Sequence, residues 1–332
     1  MLVSMLAATA FAQEVTFALD DAKAQSLGLD TSDLEAQLSA AIDDQLNLSD
    51  PNTYVAKYAN AVAMSTKGMG VDYASNPKMF SVGGSIGTAV SGVPVSFSRG
   101  PENLPEGGYA FMAALHAGLN LGVLTPGDKG PLDHVLIYVS GLGFNPPGSR
   151  EFEASMYNFG AHAQIVLGGV TSGPAEWGGV ALTGGYERSW YKLSLGQALP
   201  ITQEISPATV TWAAEGAYDL SATADTIPLE LSTNLRVTVL TGWVGGGVDI
   251  VPTGSATSVA SLSGPVSASA AGQNEQLGTI GVSLAGTGQA DLQVPRIFMG
   301  VQGNLFALKA FGQLNIGLNQ TYGGFIGMRV AM

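Results

Sequence analysis

No cysteine occurs in the 332 residues. That removes disulfides, thiolate metal ligands and cysteine nucleophiles together, and it fits an envelope protein that folds without oxidative help. Charge is scarce: 12% of residues are Asp, Glu, Lys or Arg, about half the usual share. Positive charge is scarcest, with 13 basic against 26 acidic residues and a net charge of −13, which argues against nucleic acid or an anionic leaflet as partner. Long hydrophobic runs are missing too. No stretch approaches the roughly 18 apolar residues of a membrane-crossing helix, although 46% of the chain is hydrophobic and 45 positions are Gly. An exterior this poor in charge, without spanning helices, points to a closed β-barrel. In lipid that is the only alternative to a helix for pairing every backbone N–H and C=O internally.

The N-terminus and the remainder are patterned differently. Residues 1–12, MLVSMLAATAFA, carry a short apolar stretch ending in Ala10-Phe11-Ala12, a small-x-small cleavage pattern that reads as a truncated signal peptide. A buried terminal strand or helix is the competing reading. From Gln13 to about Lys78 the period is helical. Leu34, Leu38, Ala41, Ile42 and Leu46 share one face, and Ser32 with Glu35 forms a capping box that starts a helix near Asp33. A second helix is expected over roughly Pro51 to Thr66, with Tyr54, Tyr58, Val62 and Ala63 together. Two short amphipathic helices cannot bury a core alone, so residues 13–78 are expected to dock as a plug in a barrel formed by 79–332.

From Met79 the period becomes two. In LFALKAFGQLNIGLN, Phe306, Leu308, Ala310, Gly312, Leu314, Ile316 and Leu318 face one way, and Lys309, Gln313, Asn315 and Asn319 the other. Arg at Leu314 or Ile316 is therefore expected to be costly and Arg at Gln313 mild. Glu230, Ser232, Asn234, Arg236 and Thr238 likewise oppose Leu229, Leu231, Leu235, Val237 and Val239, and Thr211, Glu215 and Asp219 oppose Val210, Trp212, Tyr218 and Leu220. A soluble sandwich would also alternate, but its outer face would be richer in Lys, Glu and Arg. The expected fold is an all-β transmembrane antiparallel barrel of about 14 strands, within a range of 12–16, with a short N-terminal helical segment. The Gly/Ser/Ala-rich segment 252–276 reads as a long flexible loop or a poorly patterned hairpin.

The junction GMGVDYASNPKMFSVGGSIG, Gly68 to Gly87, resembles the passage from hatch to first strand in FadL-type fatty-acid transporters, where an Asn-Pro-Ala motif stands. Asn76 and Pro77 match, while Lys78 replaces the Ala. The resemblance covers about twenty residues and implies a 14-stranded barrel plugged by its N-terminal segment and uptake of hydrophobic small molecules. The last residue is Met332, whereas many barrels end on an aromatic.

Little points to catalysis. Gly83-Gly84-Ser85-Ile86-Gly87 matches the G-x-S-x-G elbow but lies in a two-period run with no helix after it, so close packing of strand and plug is the better reading of its glycines. The three histidines, His116, His134 and His162, are far apart and have no metal-ligand spacing, so neither a metal nor another cofactor is expected. The candidate solute pathway is the polar side of the strands: His116, His162, Glu215, Asp219, Glu230, Arg236, Arg296, Lys309 and Arg329. Confined charges there would select solutes or brace the wall by cross-strand pairing. The resulting expectation is a bacterial outer-membrane channel or transporter for small solutes, hydrophobic ones included, gated by a plug, with outer-membrane lipid and a small solute as partners and no enzymatic activity. The alternative is a structural or adhesive barrel presenting surface loops.

Overall fold

The computed structural model describes residues 13–46, 51–92, 107–125, 130–145, 147–148 and 152–332; the expected signal peptide, residues 1–12, lies outside them. The N-terminal segment opens with a strand, β1 (Gln13–Leu19), where a helix was expected. Three helices follow: α1 (Asp21–Ser26), α2 (Thr31–Leu46) and α3 (Pro51–Met64). The remaining strands are β2 (Phe80–Ser91), β3 (Gly108–Asn120), β4 (Val135–Phe144), β5 (Phe152–Leu167), β6 (Val170–Ser172), β7 (Ala175–Ile205), β8 (Ala208–Val237), β9 (Leu240–Ala270), β10 (Gln273–Gln289), β11 (Gln293–Leu305), β12 (Leu308–Gly317) and β13 (Thr321–Ala331).

Helix α2 starts earlier than the capping box implied. Asp30 is the N-cap: its carboxylate accepts from the backbone N–H groups of Ser32 (2.9 Å) and Asp33 (3.1 Å), and its C=O accepts from Leu34 N–H. Ser32 serves Asp30 instead of the helix, donating its hydroxyl to that carboxylate. An Asp two residues upstream satisfies the free N–H groups and meets the positive helix end.

Among the described residues thirteen strands form one antiparallel sheet, within the expected range. Ten of them close into a ring in the order β2, β3, β4, β5, β7, β8, β9, β11, β12, β13 and back to β2. The ring has fewer strands than the sheet because β7, β8 and β9 are about 30 residues long and run past its rim. There the end of β9 leaves β11 and pairs with β10, which pairs with β1. The segment 252–276 is part of the β9–β10 hairpin, turning at Ala271-Gly272. Strands β7 to β10 and β1 thus continue as an open sheet beyond the ring.

The two halves of β8 explain the architecture. Alternation never breaks along it, but the apolar side changes. Between Ile227 and Val237 the outward positions Ile227, Leu229, Leu231, Leu235 and Val237 are exposed and apolar, while Glu230, Ser232 and Asn234 point inward and are buried. Between Ala208 and Asp225 the inward positions Val210, Trp212, Ala214, Leu220 and Ala222 are apolar and buried, and the outward ones are Thr211, Glu215, Asp219, Ser221 and Thr223. Along β8 the ring half therefore has an apolar outside and a polar inside, and the extension half has the reverse.

Each half buries its inner face on N-terminal elements. On the extension, Leu34, Leu38, Ala41 and Ile42 of α2, with Leu27 and Leu29, form a core against Ile201, Val210, Trp212, Val266, Ile280 and Val282. Each fully buried Leu or Ile contributes about 1.5–3 kcal/mol. Helix α3 instead sits in the mouth of the ring, where Val55, Tyr58, Ala59 and Val62 join Ala110, Met112, Tyr191 and Tyr218. Glycine is required there: a Cβ on Gly108 would lie 2.2 Å from the Lys57 carbonyl oxygen, and one on Gly288 2.2 Å from Ala56 N.

Candidate functional site

Inside the ring the inward positions mix polar side chains with buried aromatic and apolar ones such as Tyr138, Phe298, Phe311 and Phe325, and residues 65–78 descend through them from α3 to β2. The first station is Glu187 on β7, which pairs with Lys67, accepts from Thr66 Oγ1 at 3.0 Å and meets His162 Nε2 at 3.2 Å. The second joins four strands, β8, β9, β11 and β12. Tyr73 donates to Glu230 (2.6 Å), while Arg296 pairs with Glu230 and with Asp249 (2.7 Å), donates to Asn315 (3.0 Å) and lies 5.1 Å from the Phe298 ring. The third is Arg329 on β13, 3.2 Å from Asp72 and 3.8 Å over the Phe311 ring. Trp243 Nε1 donates to Gln313 (2.9 Å), and Asn315 donates to the Lys67 carbonyl (3.2 Å).

These charges are almost wholly removed from water: Lys67, Asp72, Glu187, Glu230, Asp249 and Arg296 are each at most 3% exposed. Desolvation of an ion is costly, and only close pairing offsets it. The stations therefore hold each other and the descending segment in one arrangement. Around the third station, buried polar atoms have no side-chain or backbone partner, namely both ring nitrogens of His116, Asp72 Oδ2, Arg329 Nε and Ser81 Oγ. At the junction Asn76 adopts a left-handed backbone (φ 42°) and donates to the Gly178 carbonyl at 2.8 Å, while Asn120 donates to the Pro77 carbonyl at 3.0 Å.

Of the sequence-selected residues, His116, His162, Glu230, Arg296, Lys309 and Arg329 point into the ring and are buried. Lys309 caps the Phe306 carbonyl at 2.6 Å beside the rim. Three do not line the lumen. Glu215 and Asp219 lie on the solvent side of the extension, where polarity marks the outer face, and Arg236 is exposed at the rim 3.8 Å from Glu176. The pattern missed Lys67, Asp72, Glu187 and Asp249. Glu187 is adjacent to Arg188, which blurs the alternation, and Asp249 follows Gly245-Gly246-Gly247; parity with Thr183 and Ser189, or with Thr241 and Trp243, would have found both. Ser85 Oγ faces the Met69 carbonyl at 3.5 Å inside β2. No group of three or more His, Asp or Glu able to hold a metal occurs among the described residues.

No curated protein matches the chain. Among solved structures it is similar to the outer membrane protease OmpT of Escherichia coli (11% identity, TM-score 0.38, 77% of this chain and 97% of that one). It is also similar to the translocator domain of the autotransporter NalP of Neisseria meningitidis (10%, 0.29, 89% and 98%) and to a FadL homologue of Pseudomonas aeruginosa (8%, 0.23, 84% and 98%). A family model described as Lsa36-like matches residues 10–332, so the chain belongs to the Lsa36-like family.

Proposed function

We propose that this protein is an outer-membrane barrel, closed along its lumen, that presents a folded sheet-and-helix module outside the membrane. The outward face of the ring supports the membrane part. From Ile227 to Val237 it is apolar over roughly 33 Å of chain at about 3.3 Å per residue, which at the usual tilt of about 40° gives about 25 Å, the height of a barrel's lipid-facing band. Exposed apolar residues such as Leu115, Leu182, Leu314 and Ile326 continue the band on other strands. We assign the rim carrying the extension to the outer side, because at the ring itself the two shortest connections, Thr238-Val239 and Phe306-Ala307, lie on the opposite rim, and short turns belong to the periplasmic side.

The observation that carries the presenting role is the filled lumen: α3 and residues 65–78 bury their apolar and charged groups against the wall. In planar bilayers the full chain is expected to conduct negligibly, while Thr211→Cys on the extension should be labelled on intact cells by an impermeant thiol reagent. Steady porin-like conductance of the full chain would defeat this reading. A second reading, gated passage of a small solute, draws on the ionic character of the seat, since ion pairs can be exchanged for water more readily than a dry core. Under it, deleting residues 51–78 gives an assembled, conducting barrel, and an inducing solute opens the native one.

A further inference from the structure

The chain as a whole is acidic, yet the two cations on the outward side of the described strand wall occur together. Arg188 and Lys192 lie four residues apart on β7, directly after the apolar outward positions Leu182 and Tyr186. They stand at the level where the wall turns from apolar to polar, since Arg188 pairs across the sheet with Asp225, the first polar outward residue beyond Ile227. Trp190 lies between them and packs on Tyr157 of β5, with ring centroids 5.3 Å apart and the ring planes tilted by 44°. The Asp225 carboxylate is served by the hydroxyls of Tyr186 and Thr253. Arg188 Nε is 3.8 Å away, and the Arg188 side chain remains 62% exposed. Lys192 has no ion-pair partner among the described residues.

Two available cations flanking an aromatic pair at the edge of an apolar band fit a molecule with an anionic head and an acyl tail. The aromatic rings suit the headgroup level, the long basic side chains reach upward from apolar surroundings, and the guanidinium matches phosphate geometry. We infer that Arg188 and Lys192 bind the phosphate of an outer-leaflet lipid headgroup, with Trp190 and Tyr157 against its glycerol or sugar portion and the acyl chains along the apolar wall below. This site rests on the membrane reading given above, and it fixes one point of the wall at headgroup depth.

The test uses the full-length protein in detergent, titrated with phosphatidic acid, phosphatidylcholine or inorganic phosphate and followed by native mass spectrometry, after insertion into vesicles has been checked by heat-modifiable gel mobility. Phosphatidic acid is expected to be retained at least tenfold more tightly than phosphatidylcholine. Each cation near a headgroup is worth about fivefold, so R188Q/K192Q should weaken phosphatidic acid binding roughly thirtyfold while R236Q, at the other rim, leaves it unchanged. An inserted double variant that holds phosphatidic acid as well as the native chain overturns the site alone. Equal retention of phosphatidylcholine, or displacement by inorganic phosphate at matched concentration, overturns it as a lipid site. Failure of the native chain to insert overturns the membrane reading and the site with it.

Discussion

Replacing two exposed apolar residues on the same outward surface by arginine should have opposite consequences. Leu231 on β8 and Val259 on β9 are both exposed, 56% and 43%. Leu231 lies four residues beyond Ile227, roughly 13 Å along the strand and about 10 Å in height at a tilt near 40°, close to the middle of the apolar band. An arginine at the midplane of a barrel's lipid face costs about 2–4 kcal/mol, a factor of about 30 to 900 in the folding equilibrium. Val259 lies in the extension opposite Asp219, so an arginine there gains water and an acidic neighbour, and its effect should stay within about 0.5 kcal/mol. The assay is reversible urea or guanidinium titration of the protein folded into vesicles, read by tryptophan fluorescence and heat-modifiable mobility. Equal costs for Leu231→Arg and Val259→Arg would refute the inversion of face polarity at Asp225–Ile227, and with it the boundary between ring and extension.

Other outcomes follow from the packing. Trp212→Ala empties the core beneath α2 and should cost about 3–5 kcal/mol, releasing α1 and α2 to limited proteolysis while the ring stays heat-modifiable; loss of the ring as well would contradict separate cores. Glu187→Gln leaves the buried Lys67 ammonium without its carboxylate and should cost about 3–5 kcal/mol, partly recovered in the double variant Lys67→Met/Glu187→Gln; strictly additive losses would show that the two do not interact. Gly108→Ala places a methyl group against the Lys57 carbonyl and should unseat α3, measurable as faster cleavage between residues 46 and 80; unchanged protection would mean the helix has room to shift. Hydrogen bonds from the Ser32 hydroxyl and the Asp33 and Ser32 N–H groups hold the Asp30 carboxyl below its ordinary range. Its capping contribution is therefore present at neutral pH and lost as pH falls through the carboxylate range, and Asp30→Asn should remove that dependence from the acid unfolding curve of the extension.

Alternation on β12 shows how much a local pattern can carry. Leu308, Leu314 and Ile316 face out and Lys309, Gln313 and Asn315 face in, because a strand's side-chain period is two whatever surrounds it. The same pattern misjudges Gln313→Arg. Gln313 is 3% exposed and accepts from Trp243, so arginine must displace packed neighbours at about 1–3 kcal/mol. Nothing in the alternation says whether a polar face meets water or a folded segment. Glu215 and Asp219 fail for the complementary reason: their positions alternate correctly, but the face assigned to the lumen is the outer one.

The sequence by itself determined the class of fold, the passage from a helical N-terminal part to strands, the apolar stripe of α2 and the inward direction of Glu230, Arg296 and Arg329, since each rests on periodicity and composition within one element. Only the tertiary structure decided that ten strands close while β10 and β1 extend the sheet, that α1 and α2 leave the lumen to α3 and residues 65–78, and that Lys67 meets Glu187 and Asp72 meets Arg329. Those outcomes depend on contacts across more than a hundred residues of chain. The reason is physical: a strand's alternation is set by its own backbone, whereas the identity of its two sides is set by what packs or dissolves against them.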